Sequence, residues 1–424
     1  MITSKLKNNQ EFIILILQIV LFFLLEYLYL SFMAPLYSYR GFAIDPSLIR
    51  IICSKLLFFS AISLHYYMRK ESFTYAISGV FIIFFLIPVL ILYQFINSSP
   101  LIPFLSSTLV IMILGSSKIF PNLTIPKIKA KHKLGGLTLF SLILMAPFFA
   151  TYGLQTLNLA NLLFQDVYET RLNASQQSTI YTSYLYGGLA HFFLPLLLLF
   201  SKHKKKYFIS ILVIGLIIYL FLTHSHKMTL LCLLLTCFFS LFRTSFKTNL
   251  MIFLILIITL ILSAIGLDTF LDYPVFKDVI IYRSFFVPAL LNTFYFDFFN
   301  NNHIFWSNSI LEGIVPYFFD LIPHNRIGLE YLGSSGNNAG NGLISDGYMH
   351  LGIIGIIFNS LLIILLFGLI NALKVAPALF PILVIMIIGL IGGSPLSSFL
   401  TGGIGLFLLL LLFVFEAKDF ETQT

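Results

Sequence analysis

Three arginines have the chemistry to hold a phosphorylated ligand: Arg171, Arg283 and Arg326. A guanidinium is permanently charged and can fork onto two phosphate oxygens at once, which suits it to a diphosphate. Carboxylates and imidazoles accompany them. Glu169 precedes Arg171 by two residues, and His324 precedes Arg326 by two. Glu330 follows Arg326 by four, so the two share a face if the stretch is helical. Asp346 and His350 have the same spacing, and any of Asp346, Glu330 and His350 can act as general base toward a hydroxyl. Plainer roles stand beside these. The arginines can pair with Glu169 and Glu330 or bind lipid headgroups, Asp346 can be a helix-start acid, and His350 can be a hydrogen-bonded interfacial histidine. His224-Ser-His-Lys227 reads as a short polar turn in which Lys227 offers a further phosphate contact. Its two histidines have no neighbouring cysteine or carboxylate to complete a metal site.

The elements that position these residues are membrane spans. The chain has 424 residues, 58% of them hydrophobic and 10% charged, with mean hydropathy +0.97. That excludes an ordinary soluble domain, and apolar runs long enough to cross a bilayer recur along the chain. Twelve are expected, near 12–33, 50–67, 75–96, 101–115, 136–153, 178–200, 207–223, 229–242, 249–266, 351–372, 378–392 and 404–416. Residues 1–424 thus form one membrane domain. Its longest polar interval, 267–349, lies between spans nine and ten and contains Arg283, Arg326 and Asp346. That interval is too aromatic and too weakly charged for disorder, and short interfacial helices are expected there.

Charge placement sets the orientation. Lys5, Lys7, Arg69, Lys70, Lys118, Lys127, Lys129, Lys131, Lys133, Lys202, Lys204, Lys205, Lys206, Arg243, Lys247, Lys374 and Lys418 all fall on one side of a twelve-span topology. The positive-inside rule makes that side, and both termini, cytoplasmic. Eight basic residues remain opposite: Arg40, Arg50, Lys55, Arg171, Lys227, Lys277, Arg283 and Arg326. They stand against the bias, so function is a reason to keep them. The net charge of +8 is therefore topological and implies no nucleic-acid partner. Phosphate-binding glycine loops and an Asp-x-Asp pair are both missing, which argues against nucleotide chemistry and for no metal or cofactor. Any sugar donor on the outer side would be lipid-linked.

Several stretches resemble the O-antigen polymerases, the Wzy-type repeat-unit polymerases. They are Asp166-Val-Tyr-Glu-Thr-Arg171, Arg283-Ser-Phe-Phe-Val-Pro288, Tyr295-Phe-Asp-Phe-Phe299, Trp306-Ser-Asn-Ser309, the run from Gly342 to Gly352, and Leu400-Thr-Gly-Gly403. The resemblance implies a GT-C-like helix arrangement in a bacterial inner membrane, with 267–349 as a large periplasmic loop. It implies donor and acceptor oligosaccharides carried on undecaprenyl diphosphate, with growth at the reducing end for lipopolysaccharide. A chain-length regulator is a further partner to expect. The family's loop arginines would map onto Arg171, Arg283 and Arg326. The related O-antigen ligases carry a His-Asn pair about eleven residues before a Gly-x-x-Gly, and counting back from Gly352 reaches Asn341 instead. A lipid-linked oligosaccharide flippase should carry charge within its spans, where only Glu26 and Lys55 occur here.

Overall fold

The computed structural model describes residues 10–68, 72–128, 132–154, 156–163, 166–242, 245–271, 274–334, 336, 338–340 and 342–420. Lys5, Lys7, Arg69, Lys70, Lys129, Lys131, Arg243 and Asn341 lie outside these ranges. In chain order the main helices are α1 (Gln10–Arg40), α2 (Leu48–Tyr67), α3 (Ser72–Phe95), α4 (Leu101–Lys118), α5 (Lys133–Tyr152), α6 (Val167–Gln177), α7 (Ile180–His203) and α8 (Tyr207–His224). They continue with α9 (Lys227–Phe239), α10 (Phe246–Leu271), α11 (Val275–Phe298), α12 (Pro323–Leu332), α13 (Leu343–Ala372), α14 (Pro377–Gly392), α15 (Pro395–Leu400) and α16 (Ile404–Phe413). Among the described residues there is no strand, only one isolated bridge between Glu312 and Val315.

Among the described residues ten helices are long and apolar enough to cross a membrane: α1–α5, α7, α8, α10, α11 and α13. This is an all-α, multi-pass membrane protein. Nine of the ten fall on expected spans, while the expected segments at 229–242, 378–392 and 404–416 are the shorter helices α9, α14 and α16. The remaining long helix, α11, occupies the interval read from sequence as loop. Its Lys277, Asp278 and Arg283 interrupt the apolar run that would have signalled a helix.

Prolines shape several of these helices. A proline lacks the amide hydrogen, and its ring crowds the carbonyl four residues earlier. One widened turn relieves that crowding. The π-turns Tyr29–Met33, Ile82–Leu86, Leu189–Phe193 and Asp278–Phe286 each end two residues before a proline: Pro35, Pro88, Pro195 and Pro288. Pro147 sits inside α5 without one.

The chain divides into two compact units. The first comprises 1–120, 245–368 and 390–395. α3 is its centre, buried along nearly its whole length, whereas α1, α2 and α10 keep broad apolar faces suited to lipid. α1 and α10 run side by side in the same direction. Lys247 pairs with Glu11 at 2.7 Å where both begin, and Tyr37 near the end of α1 donates to Asp278, just past the end of α10. The two charges within spans find each other: Lys55 lies 3.0 Å from Glu26. α11 meets Tyr37 and Arg40 through Asp278 and Tyr282, and Gly41 through Phe294. It therefore crosses the end of α1 instead of running its length.

α13 is a hairpin, not a rod. Leu351 and Gly352 leave helical geometry, Gly352 with φ +60°. Asn359 donates to the carbonyl of Leu343 at 3.0 Å, although sixteen residues of straight helix would separate them by about 24 Å. Gly347 and Gly355 face each other backbone to backbone, and a Cβ on Gly355 would stand 2.0 Å from the Gly347 carbonyl oxygen. The first arm, 343–350, is about 12 Å long and cannot cross a bilayer, while the second, 353–372, can. The expected span at 351–372 corresponds to this second arm.

The second unit comprises 121–244, 369–389 and 396–424. In it α7 packs tightly on the turn before α16. A Cβ on Gly187 would lie 2.5 Å from the Thr401 carbonyl oxygen, and one on Gly403 would lie 2.3 Å from the Gly188 Cα. Small residues there allow backbone-to-backbone contact.

Candidate functional site

The polar interval of the first unit is built on the hairpin tip. The last carbonyls of a helix lack intrahelical partners. Those of Met349 and His350 accept the amides of Ile304 (3.0 Å) and Phe305 (3.2 Å). The Trp306 amide donates to His350 Nδ1 at 3.0 Å, and the indole stacks on the imidazole with centroids 4.9 Å apart. Nδ1 thus accepts, and His350 Nε2 faces Asp346 Oδ1 at 3.6 Å. Asn359 Nδ2 donates to Asp346 Oδ2 at 3.0 Å. Asp346 and His350 are 2% and 3% exposed. The four-residue spacing read from the sequence does bring them together. Burial and these bonds make them a clamp on the 303–307 loop, remote from any arriving hydroxyl. Phe305 and Trp306 are held at φ +49° and +56°, a left-handed conformation costing about 1–3 kcal/mol per non-glycine residue.

Beyond the clamp a cavity of about 310 Å³ opens, lined by Ser307, Asn308, Glu312, Tyr317 and Ile322 among others. Its polar lining is under-satisfied: Ser307 is 2% exposed, and neither its Oγ nor Asn308 Oδ1 has a hydrogen-bond partner among the described residues. The nearby Trp306 Nε1 and His303 Nδ1 are in the same condition. Buried polar groups are usually paired, so four unpaired polar atoms so close in sequence set this loop apart from the rest of the first unit.

Arg326 stands on α12, one turn after the cavity residue Ile322, and is not itself in the lining. Its backbone amide donates to the Ile322 carbonyl, and its guanidinium lies 5.7 Å from the centroid of the Phe298 ring. One nitrogen is 3.5 Å from Glu330, the i,i+4 partner expected on a shared face, while the buried Nε has no acceptor. Burial pushes the Tyr317 hydroxyl up to about 12, with the Arg326 charge pulling the other way, and Tyr317 donates to the Leu321 carbonyl at 2.6 Å. Burial also lowers His324 from its ordinary range. Glu312, Asp320 and Glu330 are exposed carboxylates of this region.

Arg283 lies elsewhere in the same unit. The nine-residue π-turn aligns it with Asp278 five residues earlier, Nε to Oδ2 at 2.8 Å. Around it stand Tyr37, which donates to Asp278 Oδ1 at 2.7 Å, and Tyr282, stacked on Tyr37 at 4.2 Å. Arg40 donates to the Tyr282 hydroxyl at 2.6 Å.

Arg171 and Lys227 belong to the second unit. Arg171 does not use Glu169. Its Nε and one terminal nitrogen both grip the Ser225 carbonyl at 3.1 and 2.9 Å. This holds Ser225 at φ +53° beside a cluster in which Tyr186 meets His224 and His226, at 4.4 and 5.0 Å between centroids, and bonds Thr229 at 2.8 Å. Partial removal from solvent and the Arg171 charge keep His226 below the ordinary histidine range.

Sequence reasoning singled out the arginines, none of which lines the cavity, and did not name Ser307, Asn308 and Tyr317 as cavity residues. The Trp306-Ser-Asn-Ser309 stretch was the available signal. Among the described residues no group of three or more His, Cys, Asp or Glu can hold a metal ion. Fold and site together define a multi-pass helical membrane protein with an under-satisfied polar cavity beside an arginine. No family model, curated protein or solved structure matches the chain.

Proposed function

We propose that this protein is a membrane glycosyltransferase of the O-antigen polymerase kind. It joins undecaprenyl-diphosphate-linked repeat units on the periplasmic face of the inner membrane, lengthening the glycan at its reducing end. A GT-C-like arrangement of twelve spans with cytoplasmic termini belongs to this reading. The observation that carries it is Arg326, whose buried Nε lacks an acceptor beside a cavity with unpaired Ser307 and Asn308 oxygens. An arginine suits the leaving diphosphate, and a polar cavity suits the sugar next to it.

In the proposed reaction Glu312 or Glu330 takes the proton of the acceptor hydroxyl as its oxygen bonds to the anomeric carbon. The bond from that carbon to the diphosphate breaks, and Arg326 neutralises the departing charge. Arg283, Arg171 and Lys227 are further diphosphate contacts in this reading. Asp346 and His350, buried side by side, serve by holding the 303–307 loop.

Single turnover with a purified lipid-linked repeat unit tests the reaction. The double variant Arg283→Ala, Arg326→Ala should lose polymerisation while still inserting in the membrane, and full polymerisation by that variant sinks the proposal. A strain lacking the chain should make lipopolysaccharide with a single repeat unit, whereas loss of all O-antigen from lipid A points to ligation instead.

A further inference from the structure

Of the eight basic residues that stand against the topological bias, several have evident partners. Lys55 pairs with Glu26, Arg50 with Asp45, Arg326 with Glu330, and Arg171 grips a carbonyl. Three others, Arg40, Lys277 and Arg283, lie where α11 crosses the end of α1 and are linked there through the Phe32, Tyr37 and Tyr282 rings. Among the described residues Arg40 and Lys277 are in no ion pair. Arg40 rests on the Tyr39 and Tyr282 rings at 5.2 and 5.7 Å, and the Lys277 ammonium lies 4.8 Å from the centroid of the Phe32 ring. Asp278 is the carboxylate paired within the group, and it is shared between Arg283 and Tyr37. Asp268, buried beneath, is spent on the amides of Phe276 and Lys277 at 2.9 and 2.8 Å. Those bonds fix the start of α11 and with it the position of Lys277. The surroundings are apolar and exposed: Leu36, Tyr39, Val275 and Val279 flank the charges.

We infer that Arg40, Lys277 and Arg283 form a binding site for the phosphate headgroup of a membrane-anchored lipid, with Asp278 competing for Arg283 until the phosphate displaces it. Two guanidiniums and an ammonium match phosphate oxygens, and the apolar flank accommodates the chain that carries them. This site is separate from the Arg326 cavity. If its ligand is a polyprenyl diphosphate, it serves the second lipid-linked substrate and in that respect rests on the reaction proposed above. If the ligand is a phospholipid, it anchors α11 at the membrane surface.

The test uses the full chain in detergent, titrated calorimetrically with farnesyl diphosphate, and in nanodiscs with phosphatidylglycerol retention read by native mass spectrometry. The Arg40→Gln, Lys277→Gln variant should weaken one of the two by about tenfold, the scale of losing charge-assisted bonds. Which one falls identifies the lipid. Asp278→Asn should move affinity the opposite way, a rise of about threefold on removing a competing surface charge, which misfolding cannot imitate. Unchanged affinity for both lipids in either variant overturns the site. Because binding is read without turnover, the site survives or fails independently of polymerisation.

Discussion

Replacing His350 separates a clamp from a base. In His350→Ala the Trp306 amide loses its acceptor, and leaving a part-buried donor unsatisfied costs about 1–3 kcal/mol. The lost stack with Trp306 adds about 0.5–1.5 kcal/mol, so a total of about 1.5–4.5 kcal/mol falls on the 303–307 loop. That loop already carries two left-handed residues and is expected to relax, displacing Ser307 and Asn308 from the cavity wall. His350→Asn behaves differently: its amide oxygen can occupy the place of Nδ1 and restore the acceptor, leaving mainly the stacking loss. Trp306 is the only tryptophan in the chain, so its emission reports the loop without labelling. The alanine variant should shift that emission and melt the loop at lower temperature, and the asparagine variant should recover most of both. Turnover with a lipid-linked repeat unit should track the same order. Equal loss of turnover in the two variants with Trp306 emission unchanged would refute the clamp and make His350 a base.

The packing and the charges lead to three further outcomes. Gly355→Ala puts a methyl 2.0 Å from the Gly347 carbonyl oxygen, and thermal denaturation should record a loss of about 1–3 kcal/mol or more as the hairpin is pried open. Glu26→Gln alone strands Lys55 and should cost about 3–5 kcal/mol, while the double variant Glu26→Gln, Lys55→Met should recover most of it in a denaturation cycle. His324 has its folded value pushed below its ordinary 6.5 by burial, so the unfolded chain takes up the proton first. The stability it contributes is therefore present above pH 6.5 and lost as pH falls below it. Melting temperature should drop between pH 7 and 5, and His324→Gln should flatten that drop.

Much of this was legible in the residues. Long apolar runs announced nine of the ten long helices, because a bilayer demands length and apolarity that composition displays directly. The i,i+4 pairs Arg326–Glu330 and Asp346–His350 were visible because helical spacing is local. Roles were harder to read. Asp346 and His350 have the types of a catalytic pair, and only the fold-back at Gly352 reveals that both are buried under Trp306. α11 was hidden because a π-turn aligns Asp278 with Arg283 at a spacing that helical templates do not score. Arg40 and Tyr282 lie 242 positions apart in sequence, and their contact depends on α11 crossing α1.

The proline-linked π-turns also control the helices downstream of them. Residues five apart share a direction within such a turn, but in an ordinary α-helix they diverge by about 140°. Each wide turn is in effect one extra residue inserted in the winding, and it fixes the rotational phase of everything after it. The turn at Asp278–Phe286 therefore sets which way Phe294, Tyr295 and Phe296 look, a full two turns downstream. Removing a single residue between 279 and 282 would leave the composition of α11 almost intact while rotating its aromatic face off Gly41, Ala339 and Tyr348. In this protein the phase of a helix is stored in its prolines.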